Sequence, residues 1–168
     1  MIIIHKELEQ GSDEWFALRT GILTASEMKL ILTPTLKIAS NDKERAHLYE
    51  LAAQRVTGYV EPHYVSDDMM RGHIDEIRAK EKYSEERMEI VDEVGFITND
   101  KWGFTIGYSP DGLVGDDGAI EAKSRRQKFQ MEVILDQVVP TEHVLQVQTG
   151  LLVSERKWID YISYCGGM

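Results

Sequence analysis

The most constraining feature of this 168-residue chain is a hairpin signal in its second half. Residues 115–118 read Gly-Asp-Asp-Gly and follow a stretch rich in β-branched and aromatic residues, which predicts two antiparallel strands joined by a tight turn. Residues 119–123 form the returning strand, and because side chains alternate along a strand, Glu121 and Lys123 point to the same face. Asp111 lies just before the turn and can meet them across the hairpin. The segment therefore predicts that two carboxylates and a lysine converge on one face of a sheet.

Two carboxylates beside a lysine suit the hydrolysis of a phosphodiester. That reaction needs charge neutralisation at the phosphate, a hydroxide-like nucleophile and a stabilised leaving oxygen, all of which a carboxylate-bound Mg²⁺ supplies. Asp111 and Glu121 are suitable oxygen ligands, and the carbonyl of Ala122 is a third candidate. Lys123 is placed to position the attacking water or to help deprotonate it. The same spacing also occurs by chance at hairpin ends, so an ordinary solvated charge cluster stays open on this pattern alone.

The composition places the chain among soluble globular proteins and limits its partners. Hydrophobic residues make up 42% and charged residues 29%, and the length fits one domain. No segment is long enough to span a membrane, and the single cysteine, Cys165, excludes an internal disulfide and fits the cytoplasm. The net charge of -10 disfavours nucleic acid as a partner of the chain as a whole. We nevertheless expect a local basic surface after the hairpin, formed by Lys123, Arg125, Arg126 and Lys128.

Helical patterns dominate the first half of the chain and strand patterns the second. Capping residues at Ser12 and Thr24 predict two short helices, one through 14–19 that ends at Gly21 and one at about 25–32. The other predicted elements are helices at about 41–57 (with Tyr49, Ala52, Ala53 and Val56 on its apolar face), 67–86 (containing Ile74, Ile77 and Tyr83), 127–137 and 141–153, and strands at 90–98, 102–108, 119–123 and 157–164. This order predicts one α/β domain of mixed α+β type, residues 1–168. It has an N-terminal helical part to about residue 66 and an αβββαβ core from about residue 67.

Four short motifs cover most of the chain. The first contains Gln10-Gly11-Ser12, Trp15, Arg19, Gly21 and Thr24-Ala25-Ser26, and the second is Gly72-x-x-x-Glu76-x-x-Ala79. The third is Ser109-Pro110-Asp111-Gly112 with Glu121-Ala122-Lys123, and the fourth is His143-Val144-Leu145-Gln146-Val147-Gln148. In this order they resemble the motifs of the phage lambda exonuclease family, also called the YqaJ-type viral recombinases, a branch of the PD-(D/E)XK nucleases. The family usually has tyrosine in place of His143, and a proline soon after the lysine, where this chain has Ser124-Arg125-Arg126.

The resemblance implies a PD-(D/E)XK nuclease core, with a central mixed β-sheet flanked by helices, and a DNA exonuclease that uses Mg²⁺, with Mn²⁺ as a substitute. The metal-binding residues that it implies are Asp111, Glu121, Ala122 (through its carbonyl) and Glu76. By the same resemblance Lys123 serves the nucleophile, and Gln146 holds the lysine, the water or the substrate in place. The alternative for Glu76, one more solvated acid of an acid-rich helix, stays open.

The resemblance also implies a substrate and partners. Arg19, Ser26 and Ser109 match residues that bind the terminal 5′ phosphate of double-stranded DNA, and both a guanidinium and a helix N-terminus suit an anion. The family digests a duplex end from 5′ to 3′, leaves a 3′ single strand for an annealing protein, and forms homo-oligomeric ring trimers around DNA. Two alternatives stay open: an endonuclease on the same core, and a non-catalytic DNA-binding recombination protein. We expect the chain to act in the cytoplasm of a bacterial host, as a protein of phage or prophage origin.

Overall fold

The computed structural model describes residues 1–61 and 67–168, in which short helices and strands alternate. The helices are α1 (Asp13–Arg19), α2 (Met28–Ile31, preceded by a 3₁₀ turn over Ala25–Glu27), α3 (Asp42–Thr57), α4 (Asp67–Arg87), α5 (Gln127–Asp136) and α6 (Thr141–Ser154). The strands are β1 (Ile2–His5), β2 (Leu23–Thr24), β3 (Val91–Asp92), β4 (Phe96–Asn99), β5 (Ile106–Tyr108), β6 (Gly112–Val114), β7 (Gly118–Ser124) and β8 (Trp158–Tyr164). The prediction of a mixed α/β fold is confirmed.

Helix ends lie close to their predicted positions because local side chains define them. The Ser12 side chain accepts a hydrogen bond from the Trp15 N–H at 3.2 Å and begins α1. Asn41 accepts from the Glu44 N–H at 3.0 Å and begins α3, which ends at Gly58 with a left-handed φ of 67°. These signals act within four residues, so they are readable without knowledge of the fold.

The chain forms two compact units, the first of which contains residues 1–61, Val94–Ser109 and Thr141–Glu155. Its sheet has the strand order β1-β4-β5-β2, with β4 antiparallel to β1 and β5, and β2 parallel to β5. Helix α6 packs against β4 and β5, and Phe96 and Ile97 of β4 are completely buried. Gly107 of β5 lies against the Phe96 ring, where any side chain would collide with the ring.

The second unit contains residues 67–93, Pro110–Pro140 and Arg156–Met168. Its sheet has the order β3-β6-β7-β8, in which β6 is antiparallel to β3 and β7, and β8 is parallel to β7. Helix α4 packs against β7 and β8 and buries Asp75, Ala79 and Tyr83, which are four residues apart and so share one face. Tyr83 joins Val114 and Ile120 in the core. This packing fixes α4 over β7.

Several strand predictions are wrong because strand pairing is decided over long distances in the sequence. The N-terminal part, predicted to be helical, contains β1 and β2, which pair with β4 and β5 some eighty or more residues later. The predicted strand 90–98 divides at Gly95 into β3 and β4, which belong to different sheets. A Cβ atom at Gly95 would collide with the Leu8 carbonyl, so this point requires glycine. In the described residues the strands form two four-stranded sheets, each of which mixes parallel and antiparallel pairs.

The strand predicted from Trp102 begins only at Ile106. The Lys101 N–H donates to the Asn99 side chain at 3.1 Å, and Gly103 has a φ of 82°, so the chain turns through residues that the sequence pattern assigned to the strand. The hairpin of β4 and β5 is present, with a longer loop than the predicted Asn99–Asp100 turn.

The apolar faces predicted for the two longest helices are largely exposed. On α3, Tyr49 and Val56 are 67% and 87% exposed, and the buried residue is His47. On α4, Ile74 and Ile77 are exposed, whereas Tyr83 is buried. Among the described residues, no helix combines the length and the apolar character needed to cross a membrane.

Candidate active site

The hairpin of β6 and β7 brings Asp111, Glu121 and Lys123 together in the second unit. Asp111 precedes β6, and its Oδ2 atom accepts a hydrogen bond from the Ala122 N–H at 2.6 Å. Lys123 Nζ donates to Glu121 Oε1 at 2.6 Å, as expected for two side chains on the same face of a strand. Only 1% of the Glu121 side chain is exposed. The two acids and the lysine thus form one largely buried cluster.

Helix α4 adds a third carboxyl group, Glu76, to this cluster. Burial, followed by the charge of Asp111, raises the pKa of Glu76 to about 7. Burial also raises the pKa of Asp111, although Lys123 and the Ala122 N–H act in the opposite direction. With its pKa raised to about 7, Glu76 keeps its proton to near-neutral pH beside Asp111. Helix packing, which no local pattern reveals, creates this pair.

Two lysines face the carboxyl cluster. Burial acts to lower the pKa of Lys123, but Glu121 and Asp111 outweigh it, and the pKa is raised. Lys123 is therefore a protonated hydrogen-bond donor in this arrangement. Lys80 places its Nζ atom 3.9 Å from Glu76 Oε1, one helical turn away. Lys80 was not predicted from the sequence, although its spacing of four residues from Glu76 is a usable signal.

The donor set fits a hard divalent cation. Three carboxyl groups and the Lys123 ammonium group share a partly buried site, and Glu76 keeps its proton up to a pH of about 7 rather than ionise beside Asp111. Carboxylate oxygens are the ligands that Mg²⁺ prefers, and a cation bound by the same oxygens would replace that proton. In the part of the chain that the structure describes, no three acidic, histidine or cysteine side chains stand ready-made as a metal site. Glu121 Oε1 is instead bonded to Lys123, and Asp111 Oδ2 to the Ala122 N–H.

Arg19 and Ser109 meet in the first unit. Arg19 Nη1 donates to Ser109 Oγ at 3.2 Å, and the Trp15 indole N–H donates to the same oxygen at 3.2 Å and to the Gly95 carbonyl at 3.0 Å. The Arg19 guanidinium lies 4.0 Å from the centre of the Trp15 ring, and burial lowers the pKa of Arg19. Trp15 is half-buried and holds Arg19 and Ser109 in place.

Ser26 lies in the 3₁₀ turn that follows β2. Its Oγ atom is 3.2 Å from Thr24 Oγ1, and Glu27 accepts hydrogen bonds from the Thr24 N–H at 3.0 Å and from the Thr24 hydroxyl at 2.7 Å. Glu27 also acts electrostatically on Arg19, raising the pKa that burial lowers. The predicted capping box is present, and Glu27 links the turn that carries Ser26 to Arg19.

The remaining predicted residues are placed as follows. Gln146 lies half-buried on α6 in the first unit, while Gln148 of the same helix is exposed. After Lys123, the basic residues Arg125 and Lys128 place their charged groups 5.3 and 5.7 Å from the centre of the Phe129 ring, which is 43% exposed. The roles of these residues stay predictions.

Comparison with known proteins agrees with this geometry. Residues 14–157 match the model of the YqaJ-like viral recombinase domain. The chain is similar to the crystal structure of the alkaline exonuclease LHK-Exo from Laribacter hongkongensis, with 34% identity, a TM-score of 0.81, and coverage of 94% of this chain and 76% of that one. It is equally similar to LHK-Exo in complex with dAMP, with 36% identity, the same TM-score and the same coverage. A search of curated proteins found no significant match.

Proposed function

The chain belongs to the YqaJ-like viral recombinase family, and we propose that it is a divalent-metal-dependent exonuclease that degrades linear double-stranded DNA from 5′-phosphorylated ends. The exonuclease neighbours, one of them in complex with dAMP, support DNA as the substrate. The single observation that carries the proposal is the buried cluster of Asp111, Glu121 and Lys123, joined by Glu76. A protein that only binds DNA has no need of such a cluster, since each buried charge costs stability.

Asp111, Glu121 and Glu76 would hold the cation, together with the Ala122 carbonyl. Bound Mg²⁺, or Mn²⁺ in its place, supplies Lewis-acid activation of the scissile phosphate and of water. Lys123 carries a proton and is held by Glu121, so its role is to orient the attacking water and to stabilise charge that develops on the phosphate. We assign Gln146 of α6 to holding the lysine, the water or the substrate.

The 5′ preference depends on Arg19, Ser109 and Ser26. Arg19 is rigid because it lies over the Trp15 ring and donates to Ser109, so its guanidinium loses little freedom when it binds a terminal phosphate. Ser26 supplies a hydroxyl from the turn that Glu27 stabilises. An end-directed enzyme requires a site of this kind, whereas an endonuclease does not.

We assign further DNA contacts to the basic residues that follow Lys123. Arg125, Arg126 and Lys128 follow Lys123 closely, and their positive charge beside the exposed Phe129 ring suits a phosphate backbone and an unpaired base. The 3′ single strand would pass to an annealing protein, and a ring of identical subunits would give processivity. The protein would act in the cytoplasm of the bacterial host of a phage or prophage.

The decisive experiment compares linear duplex, closed circular duplex and single-stranded DNA, each with Mg²⁺ and with a chelator. The exonuclease predicts that nucleotides are released from the linear duplex with Mg²⁺, faster when its ends carry a 5′ phosphate. Cleavage of the closed circle at a comparable rate would identify an endonuclease. DNA binding without any cleavage, in protein shown to be folded, would identify the non-catalytic protein.

A further inference from the structure

A buried hydrogen bond joins the end of β7 to α4 beside the candidate active site. Ser124 Oγ donates to Asp75 Oδ2 at 2.6 Å, and Asp75 is only 6% exposed. Arg71, one turn earlier on α4, places its Nε atom 3.9 Å from the same carboxylate oxygen and 3.4 Å from Ser124 Oγ. The buried carboxylate is therefore satisfied by a hydroxyl and has a guanidinium nearby, as a buried charge requires.

Each partner of this hydrogen bond is next to a residue of the carboxyl cluster. Asp75 precedes Glu76 on α4, and Ser124 follows Lys123 on β7. Glu76 lies on α4 and Lys123 on β7, so the distance between their side chains depends on where α4 lies on β7. The two groups are close enough to act on each other electrostatically. A second directional hydrogen bond joins α4 to the sheet, from the Tyr83 hydroxyl to Asp160 Oδ2 of β8 at 2.8 Å, but it lies about two helical turns beyond Glu76. The Ser124–Asp75 bond is the one that joins α4 to β7 directly beside the carboxyl cluster.

We propose that the Ser124–Asp75 hydrogen bond is a positioning contact that sets the separation of Glu76 from Asp111 and Lys123 for metal-dependent hydrolysis. The proposal rests on the proposed nuclease function. Ser124 and Asp75 act through their neighbours and are positioning residues. Misplacement of a catalytic group by about 1 Å costs roughly 100-fold in rate, so a hydroxyl that contacts no substrate still controls turnover.

The test is the kinetics of Ser124→Ala on linear, 5′-phosphorylated duplex DNA, with Mg²⁺ varied. The expected result is a kcat lower by roughly 10- to 100-fold, a higher Mg²⁺ concentration for half-maximal rate, and an unchanged KM for DNA. Ser124→Thr retains the hydroxyl and should restore both kcat and the Mg²⁺ requirement. The matched control is Ser84→Ala on α4, which removes a hydroxyl that donates to the Glu89 carbonyl and should behave as wild type.

Urea unfolding of each variant gives the folded fraction to which kcat is normalised. A merely structural role would lower that fraction and leave the Mg²⁺ requirement unchanged, which would overturn the proposal. So would a wild-type kcat in Ser124→Ala, or a failure of Ser124→Thr to restore activity. Mn²⁺ binding, measured by electron paramagnetic resonance, does not require DNA cleavage. It therefore distinguishes a failure of this proposal from a failure of the proposed nuclease function. If the wild type cleaves no DNA, weaker Mn²⁺ binding by Ser124→Ala would support the positioning contact, and equal binding would refute it.

Discussion

Removal of divalent ions should make the stability of this protein depend on pH through Glu76 and Asp111. Burial and the charge of Asp111 raise the pKa of Glu76 in the folded protein from an ordinary 4.5 to about 7. The folded protein therefore holds a proton that the unfolded chain releases between these two pH values. The stabilisation that this proton gives is complete below about pH 4.5 and is lost as the pH rises through 7.

The size of the effect follows from the shift in pKa. One pKa unit corresponds to about 1.4 kcal/mol, so the rise from 4.5 to about 7 amounts to about 3 kcal/mol of unfolding free energy. Glu76→Gln removes the titrating group and keeps its shape, so its stability should lack this component. Added Mg²⁺ should reverse the loss above pH 7, because the cation would bind the ionised pair.

The assay is urea unfolding of the wild type and of Glu76→Gln at pH 5 and pH 8, with chelator and with Mg²⁺, followed by tryptophan fluorescence. The difference between the two proteins isolates Glu76 from every other group, because the two proteins share all the others. A difference in stability that stays the same at pH 5 and pH 8 in the presence of chelator would refute the raised pKa of Glu76. If the difference in stability between the two proteins depends on pH in the same way with Mg²⁺ as with chelator, Glu76 and Asp111 do not bind the cation.

Three further predictions concern catalysis, end recognition and packing. Lys123→Ala should lower kcat by about 100- to 1000-fold, because the lysine acts on the reacting water and phosphate, while the affinity for DNA in a gel-shift assay is retained. An unchanged kcat would show that Lys123 has no part in the mechanism. Arg19→Ala should reduce the preference for 5′-phosphorylated over 5′-hydroxyl ends by about tenfold or more in kcat/KM, and an equal loss on both ends would argue against a phosphate site. Gly118→Ala should lower the free energy of unfolding in urea by about 1–3 kcal/mol, because its Cβ would collide with the Trp158 ring. Gly72→Ala has open space around it and should raise the free energy of unfolding by up to about 1 kcal/mol. Similar values for the two variants would show that Gly118 does not lie against the Trp158 ring.

Local signals account for what the sequence predicted correctly. The caps at Ser12, Asn41 and Gly58 define helix ends within a few residues, and the Gly115–Gly118 turn brings two strands together without help from the rest of the fold. The alternation of side chains on β7 is sufficient to place Glu121 and Lys123 on one face. These inferences hold because the groups concerned lie within about a dozen residues of one another.

Features that depend on distant parts of the chain were not readable. Strand β1 is defined by its partner β4, and the division of residues 90–98 between two sheets depends on the approach of Leu8 to Gly95. The same reason explains the residues missed at the site. Asp75 read as one acid among many until the structure showed its hydrogen bond to Ser124, which lies 49 positions later.

Crystals soaked in Mn²⁺ show whether Asp111, Glu121 and Glu76 surround a divalent cation. We expect an anomalous-scattering peak roughly 2.1 Å from carboxylate oxygens of Asp111 and Glu121, with Lys123 displaced from its hydrogen bond to Glu121. The peak should vanish in Asp111→Asn. A map with no peak at this cluster, in crystals where Mn²⁺ is ordered elsewhere, would show that these carboxylates do not hold the cation.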